Sequence, residues 1–398
     1  MMEYPEALKT ILNAISKPAT ETSHVKKAHG RILAKDIYTT REFPDTRLSA
    51  IDGYAFRIDQ LDVYKSVGDV GAGHVPDFVL QPGQCAAVMT GAPVPDGTDC
   101  MVRIEDCIVD DKMVRPEVAL NPGDLINENS SEASAGRLLA KAGSTIIKSL
   151  YPALFYAGIP EVTVFKKPKI GMLLTGDELC DVDVTHTTGQ VYDTNCYILE
   201  SFLQAINLEV TTLIHARDDE VGIQNAFAAL ADDCDIIVSS GGVSMGQYDF
   251  VKKIFREQDF KLLIQGTAIK PGRPLMVAKS KGKLYFGMPG YPAAFLTNCL
   301  VYLIPALKKA SGRTDIHHRF VTATLKNQMS SRKGKLYLNR ARLELTTDGW
   351  QVWDPGSQKT SHFLNFSETN GIAFLTENVG NLEPGATVEC LHYDLELC

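Results

Sequence analysis

The residues best suited to chemistry lie in SSGGVSMGQYDFVKK, from Ser239 to Lys253, directly after the apolar run CDIIV. Two glycines behind a buried strand let the backbone turn sharply and aim several N–H groups at one point. Ser239, Ser240 and Ser244 add hydroxyls, and the combination suits an anion such as a phosphate. A tight strand-to-helix turn capped by serines also accounts for Gly241 and Gly242, but it gives Asp249 no purpose. That aspartate follows the glycines closely enough to hold a divalent cation, or to orient water, beside a phosphate.

Carboxylates recur after two neighbouring apolar runs. Thr175, Gly176, Asp177 and Glu178 follow IGMLL, and Asp218 and Asp219 follow the run that ends near Ala216. Several carboxylates at one strand edge repel one another unless a cation or a proton offsets them. Each taken singly also fits a helix N-cap or first turn, the simpler reading for Asp218, Asp219 and, in YDTN, Asp193. Positive charge comes from IKPGRPL, where Lys270 and Arg273 flank a Pro-Gly turn and could reach one oxyanion; a solvated hairpin fits the same residues. In GMPGYPAAF, Pro289, Gly290 and Pro292 stiffen a loop that enters a helix. In the first half of the chain, SAIDGYAFR sets Asp52 before Gly53 and VMTGAPVPDG sets Thr90 before Gly91, which alone is turn chemistry.

These loops need a scaffold. Over 168–314 apolar strands alternate with helices, as in IGMLLTG, TNCYILESFLQAIN, EVTTLIHA, VGIQNAFAAL and CDIIVSSGG. Such alternation implies a mostly parallel sheet covered on both faces, with ligands at the carboxyl ends of its strands. Residues 43–117 read as a small β-rich unit with many Gly and Pro turns, and 315–398 as an all-β sandwich or barrel. Tyr4 to Ala34 reads as two short helices broken at Pro18, with Leu8, Leu12 and Ile15 on one face. A further helix around Ser149 to Ala157 and a strand at Val162 to Phe165 are expected to pack back beside them.

Composition narrows the function classes. The chain has 398 residues, 44% hydrophobic, and 48 acidic against 40 basic side chains without a basic run, so nucleic-acid binding is not expected. The longest apolar stretch, Ala293 to Leu307, is interrupted by Thr297, Asn298 and Pro305 and falls short of the roughly 20 residues that span a bilayer. No membrane association is expected. MMEYPEALKTIL lacks a cationic lead into an apolar core, and nine cysteines without a CxxC pair read as reduced thiols, so the expected compartment is the cytoplasm.

The residues DGYA at 52–55, MTGAPVPDG at 89–97, TGDEL at 175–179, DTN at 193–195, SSGGVSMGQYD at 239–249, KPGRP at 270–274 and GMPGYP at 287–292 together closely resemble the MoeA family, which includes the E domain of gephyrin. The resemblance runs along nearly the whole chain. It implies a multidomain α/β protein: an elongated helical dimerisation segment from 1–42 and 137–166, a small β-rich domain at 43–136, a pterin-binding α/β domain at 167–314, and a small C-terminal β domain at 315–398. It also implies a transferase that converts adenylylated molybdopterin and molybdate, with magnesium, to molybdenum cofactor and AMP. The implied partners are a second copy of the chain, the molybdopterin adenylyltransferase and the recipient molybdoenzyme apoproteins. Carried onto this sequence, Asp249 and Glu178, with Asp218, stand near the metal and reacting phosphate. The 239–246 loop, including Ser244 and Gly246, surrounds the pterin nucleotide; Lys270 and Arg273 face oxyanions, with Pro289 and Gly290 beside them; Asp52 and Thr90 approach from the partner subunit. Two departures stand out. Tyr291, Pro292, Ala293 and Ala294 replace the usual Asn-Pro-Val-Ser, removing a hydroxyl expected near molybdate, and Ser130, Ser131 and Glu132 stand for Gly-Glu-Asp. An adenylyltransferase on the same α/β domain, and a scaffold that kept the fold without the chemistry, are the competing readings.

Overall fold

The structure, a computed structural model, describes residues 1–243, 250–257 and 259–394. These form two compact units, one of Met1–Lys35, Gly143–Tyr151 and Pro160–Cys398, the other of Asp36–Ala142 and Pro152–Ile159. The α/β region and the C-terminal β region both lie in the first unit.

The larger unit is organised by a six-stranded sheet. Its strands are β1 (Ile170–Thr175), β2 (Val210–Ala216), β3 (Ile236–Ser240), β4 (Lys261–Gln265), β5 (Met276–Ser280) and β6 (Lys283–Met288). In space the order is β2-β1-β3-β6-β5-β4. The first four run parallel, and β5 and β4 add an antiparallel edge. Alternation along the strands explains why both faces are covered. Ile170, Met172, Ile236 and Val238 join one core and Leu173 and Ile237 the other, so the central strands β1 and β3 are apolar over most of their length.

Helices α1 (Tyr4–Ala14), α2 (Asn195–Ala205) and α4 (Pro292–Asn298) contribute to the first core, and α3 (Glu220–Asp233) to the second. In α1 the buried positions are Ala7, Ile11 and Leu12, while Leu8 and Ile15 are only partly covered. Its last carbonyls are satisfied by lysines from elsewhere in the chain: Lys309 Nζ donates to Leu12 O and Lys279 Nζ to Ala14 O, each at 2.8 Å. The chain continues from α4 through a π-helical segment, Cys299–Leu303, into α5 (Ile304–Ala310), all of it deeply buried as far as Lys308.

The second helix expected before Ala34 is instead a strand. Thr20–His24 pairs antiparallel with Glu161–Phe165, from Thr20 opposite Phe165 to His24 opposite Glu161. The sequence TETSH alternates half-buried and exposed positions and carries β-branched threonines, which suit a pleated surface better than a helix. The expected helix near Ser149 is a single short one, Leu150–Tyr156.

Toward the C-terminus the larger unit carries a β-barrel. Leu336–Thr346 pairs with both Gly349–Trp353 and Gly371–Leu375, and Phe320–Leu325 and Thr387–His392 complete the ring. Ring closure removes the open edges on which other chains could pair.

The smaller unit has its own six-stranded sheet, with Gly53–Phe56 between Gln84–Val88 and Cys100–Arg103. Ala55, Val88 and Met101 cover one face, and Tyr54, Phe56 and Val102 the other. Gly53 is required by this packing, because a Cβ there would stand 1.9 Å from Val102 O.

Candidate active site

Strands β1, β3 and β6 run parallel, so their carboxyl ends open onto one side of the sheet. A pocket of about 670 Å³ lies there, within the usual volume of small-molecule sites. Glu178 and Asp218 line it together with Lys270 and Arg273, as do Ser240, Gly241, Gly242, Pro289 and Gly290. Residues from seven separate stretches of sequence therefore converge.

The wall is built by close backbone contacts. Gly241, at φ +95°, donates its N–H to Met288 O at 2.9 Å, and a Cβ on it would stand 2.7 Å from Thr175 Oγ1. Only glycine meets both demands. Thr175 Oγ1 donates to Ser240 O at 3.1 Å and joins the ends of β1 and β3. Asn195, the first residue of α2, donates from Nδ2 to Ser240 Oγ at 2.6 Å and to Gly290 O at 2.8 Å. Asn298 does the same for the Pro-Gly turn, donating to Gly272 O at 3.1 Å.

The capping readings separate. Asp219 caps α3 by accepting from Gly222 N–H at 2.7 Å, and Asp193 accepts from Asn195 and Cys196 N–H at 3.0 and 3.3 Å. Asp218 is not the cap; it lines the pocket. Burial, together with the negative charges of Glu178 and Asp177, raises the pKa of Asp218 above the ordinary carboxylate value. The Glu178 carboxylate folds back over Gly176, 2.7 Å from where a Cβ there would stand. Hard oxygen donors of this kind suit magnesium, which takes one or two protein carboxylates and completes its shell with phosphate oxygens and water. Among the described residues no group of three or more His, Cys, Asp or Glu side chains could hold a metal by itself. Glu178 and Asp218 thus fit a cation that a bound phosphate helps to hold.

Ser239 does not reach the pocket. Successive strand residues face opposite sides, so Ser239 is fully buried, its hydroxyl without a partner among the described residues, while Ser240 faces the pocket. Ser244, Gly246 and Asp249 lie outside the described residues. Asp52 and Thr90 belong to the smaller unit, where Asp52 Oδ1 accepts from Thr90 N–H at 2.7 Å and from Thr90 Oγ1 at 2.8 Å. Those two bonds lower the pKa of Asp52. Ala294 lines the pocket, at the position where the family resemblance calls for a hydroxyl.

Reading the sequence alone missed several lining residues, among them Thr194, Asn195, Tyr192 and Thr360. Asn195 had a signal, since DTN precedes a helix, but the cap reading of Asp193 absorbed it. Thr360 had none, because it reaches the pocket from the barrel. A polar groove over the barrel shares Lys270, Pro271 and Thr360 with the pocket and adds Arg332 and Lys359. Beneath the barrel surface Arg340 is 2% exposed, with Nη2 donating to Ser357 O at 2.8 Å and Nε and Nη1 without partners among the described residues.

Comparison with known proteins places the chain in a family. Residues 2–158 match the family model described as MoeA N-terminal region (domain I and II), 171–309 the probable molybdopterin binding domain, and 322–393 the MoeA C-terminal region (domain IV). A molybdopterin molybdenumtransferase of Nostoc sp. is 30% identical over 381 residues, covering 90% of this chain and 86% of the relative. One from Haemophilus influenzae is 28% identical and covers 98% of each chain. The crystal structure of a molybdopterin biosynthesis MoeA protein from Pyrococcus horikosii superposes with a TM-score of 0.85 at 28% identity, covering 99% of both chains. With three family models in order along its length and 30% identity to a relative over most of both sequences, this chain belongs to the MoeA family.

Proposed function

We propose that this chain is a molybdopterin molybdenumtransferase, which inserts molybdenum from molybdate into adenylylated molybdopterin and releases AMP. The observation that carries the reading is the pocket itself: carboxylates at Glu178 and Asp218 and cations at Lys270 and Arg273 line one cavity at the ends of β1, β3 and β6. A nucleotide-linked substrate presents a phosphate that cations and backbone N–H groups hold, while molybdate is an oxyanion suited to the same cations. Glu178 and Asp218 would hold magnesium, which would supply charge neutralisation at the phosphoryl oxygens. Lys270 and Arg273 orient the anionic groups, and the Ser240 to Gly242 turn allows the backbone to approach them closely.

We place the reaction in the cytoplasm. The cysteines among the described residues are all free, as in a reducing compartment, and no helix among those residues is long and apolar enough to cross a membrane. We further propose a homodimer, as the family resemblance implies; light scattering at micromolar concentration tests it, and a monomer overturns it. The activity is tested by incubating the purified chain with adenylylated molybdopterin, magnesium and molybdate and following AMP. Release that depends on molybdate supports the reading. No release, or release without molybdenum in the pterin product, refutes it.

A further inference from the structure

Asn195 is 5% exposed, yet it begins a helix and lines the pocket. Its backbone is held by Asp193, whose Oδ1 accepts from the N–H groups of Asn195 and Cys196. From that fixed point its amide nitrogen bridges two loops, donating to Ser240 Oγ at the end of β3 and to Gly290 O after β6. A carbonyl oxygen only accepts, so the bond to Gly290 fixes which end of the amide faces it. The amide oxygen is buried without a partner among the described residues. Such a group is costly to bury, so the site keeps this asparagine at the expense of one unpaired acceptor.

The bridge stands where placement matters most. A Cβ on Gly290 would lie 3.7 Å from Gly241 Cα, so the two loops touch beside it. The Gly290–Tyr291 peptide is trans, and a trans peptide points its C=O and N–H in opposite directions. Holding Gly290 O on Asn195 therefore turns the Tyr291 N–H to the other side of that peptide. We propose that Asn195 is a positioning residue: by tying Ser240 to Gly290 it sets the spacing of the two loops that hold the phosphate-bearing substrate.

This role rests on the proposed activity for its substrate, but binding tests it separately. Wild type, Asn195→Ala and Asn195→Asp are compared for AMP release and, by equilibrium dialysis, for AMP binding, each normalised to the folded fraction from thermal unfolding. Misplacement of reacting groups by about an ångström costs on the order of 100-fold, so kcat/KM is expected to fall roughly 10- to 100-fold in both variants. AMP binding weakens about tenfold, in line with the loss of one or two hydrogen bonds. Asn195→Asp carries the diagnostic: as pH is lowered its buried carboxyl gains a proton, regains one donor toward Gly290 O, and recovers relative to Asn195→Ala. Wild-type values in both variants, or parallel pH profiles for the two, overturn the proposal. A wild type that binds AMP without releasing it refutes the substrate reading alone, and the dialysis of the variants still decides the role of Asn195. A wild type that does neither refutes both.

Discussion

Two aspartates that follow or precede short strands meet opposite fates in this chain. In the smaller unit Asp52 is solvated, takes two hydrogen bonds from Thr90, and has its pKa lowered. In the larger unit Asp218 is half-buried, faces Glu178 and Asp177, and has its pKa raised. The first carboxylate is satisfied by its own neighbours. The second is desolvated by burial and held near like charge, which disfavours the folded state unless a proton or cation joins it. The difference teaches where to look for a ligand, since of these two aspartates it is Asp218 that has an electrostatic cost that binding would relieve.

The largest expected effect is on catalysis. Asp218→Asn should lower AMP release on the order of 100-fold, roughly 3 kcal/mol of barrier, because an amide is a poor ligand for a hard cation. The same substitution should raise the unfolding temperature in the absence of magnesium, since it removes the repulsion. Loss of activity together with loss of stability would show that Asp218 is structural, and the contrast with Asp52 would collapse.

Next in size is the response to the cation. At a hundredfold excess over its Kd, magnesium with AMP present should stabilise the wild type by about 2.7 kcal/mol, seen as a shift in thermal unfolding. Glu178→Gln and Asp218→Asn should lose most of that shift, and Asp52→Asn should keep it. An equal shift in all four proteins would place the cation elsewhere.

A smaller effect separates the two aspartates by pH. Between the ordinary carboxylate pKa and the raised value of Asp218, the native state binds more protons than the unfolded one. Stability therefore falls as pH rises across that window, and the cost is fully present at neutral pH. The unfolding-temperature difference between Asp218→Asn and wild type, measured without magnesium, should shrink as pH is lowered from about 7 to about 4, where free carboxylates begin to titrate. Asp52 has the opposite sign: its contribution is present at neutral pH and is lost only as pH falls below the usual carboxylate range. A difference for Asp218→Asn that stays constant over this range would show that Asp218 bears no excess repulsion.

The smallest effect belongs to Asp52→Asn itself. The amide oxygen can still accept from Thr90 and the site is exposed, so the unfolding midpoint at pH 7 should fall only slightly below that of the wild type. A clear drop would mean that the carboxylate charge is structural there.

How much of this was legible before the fold was known differs by element. Alternating strands and helices over 168–314 announced a mostly parallel sheet, because strands buried on both faces must be apolar throughout. The glycines of SSGG and the motifs carrying the MoeA resemblance were visible for the same local reason: a backbone that must turn or approach closely leaves few residue choices. The strand Thr20–His24 was not legible, since its partner Glu161–Phe165 lies well over a hundred residues away and its own pattern is too short to outweigh a helical start. Nor could spacing tell Asp218 from Asp219, or Ser239 from Ser240, because adjacent residues of one type differ only in the side to which the backbone turns them. Sequence by itself therefore determined the family, the parallel sheet and which loops could carry chemistry, all of which depend on local backbone demands. Tertiary structure alone decided that Asn195 bridges Ser240 and Gly290, that Thr360 reaches the pocket from the barrel, and which carboxylates face one another, because those facts depend on distances between segments remote in the chain.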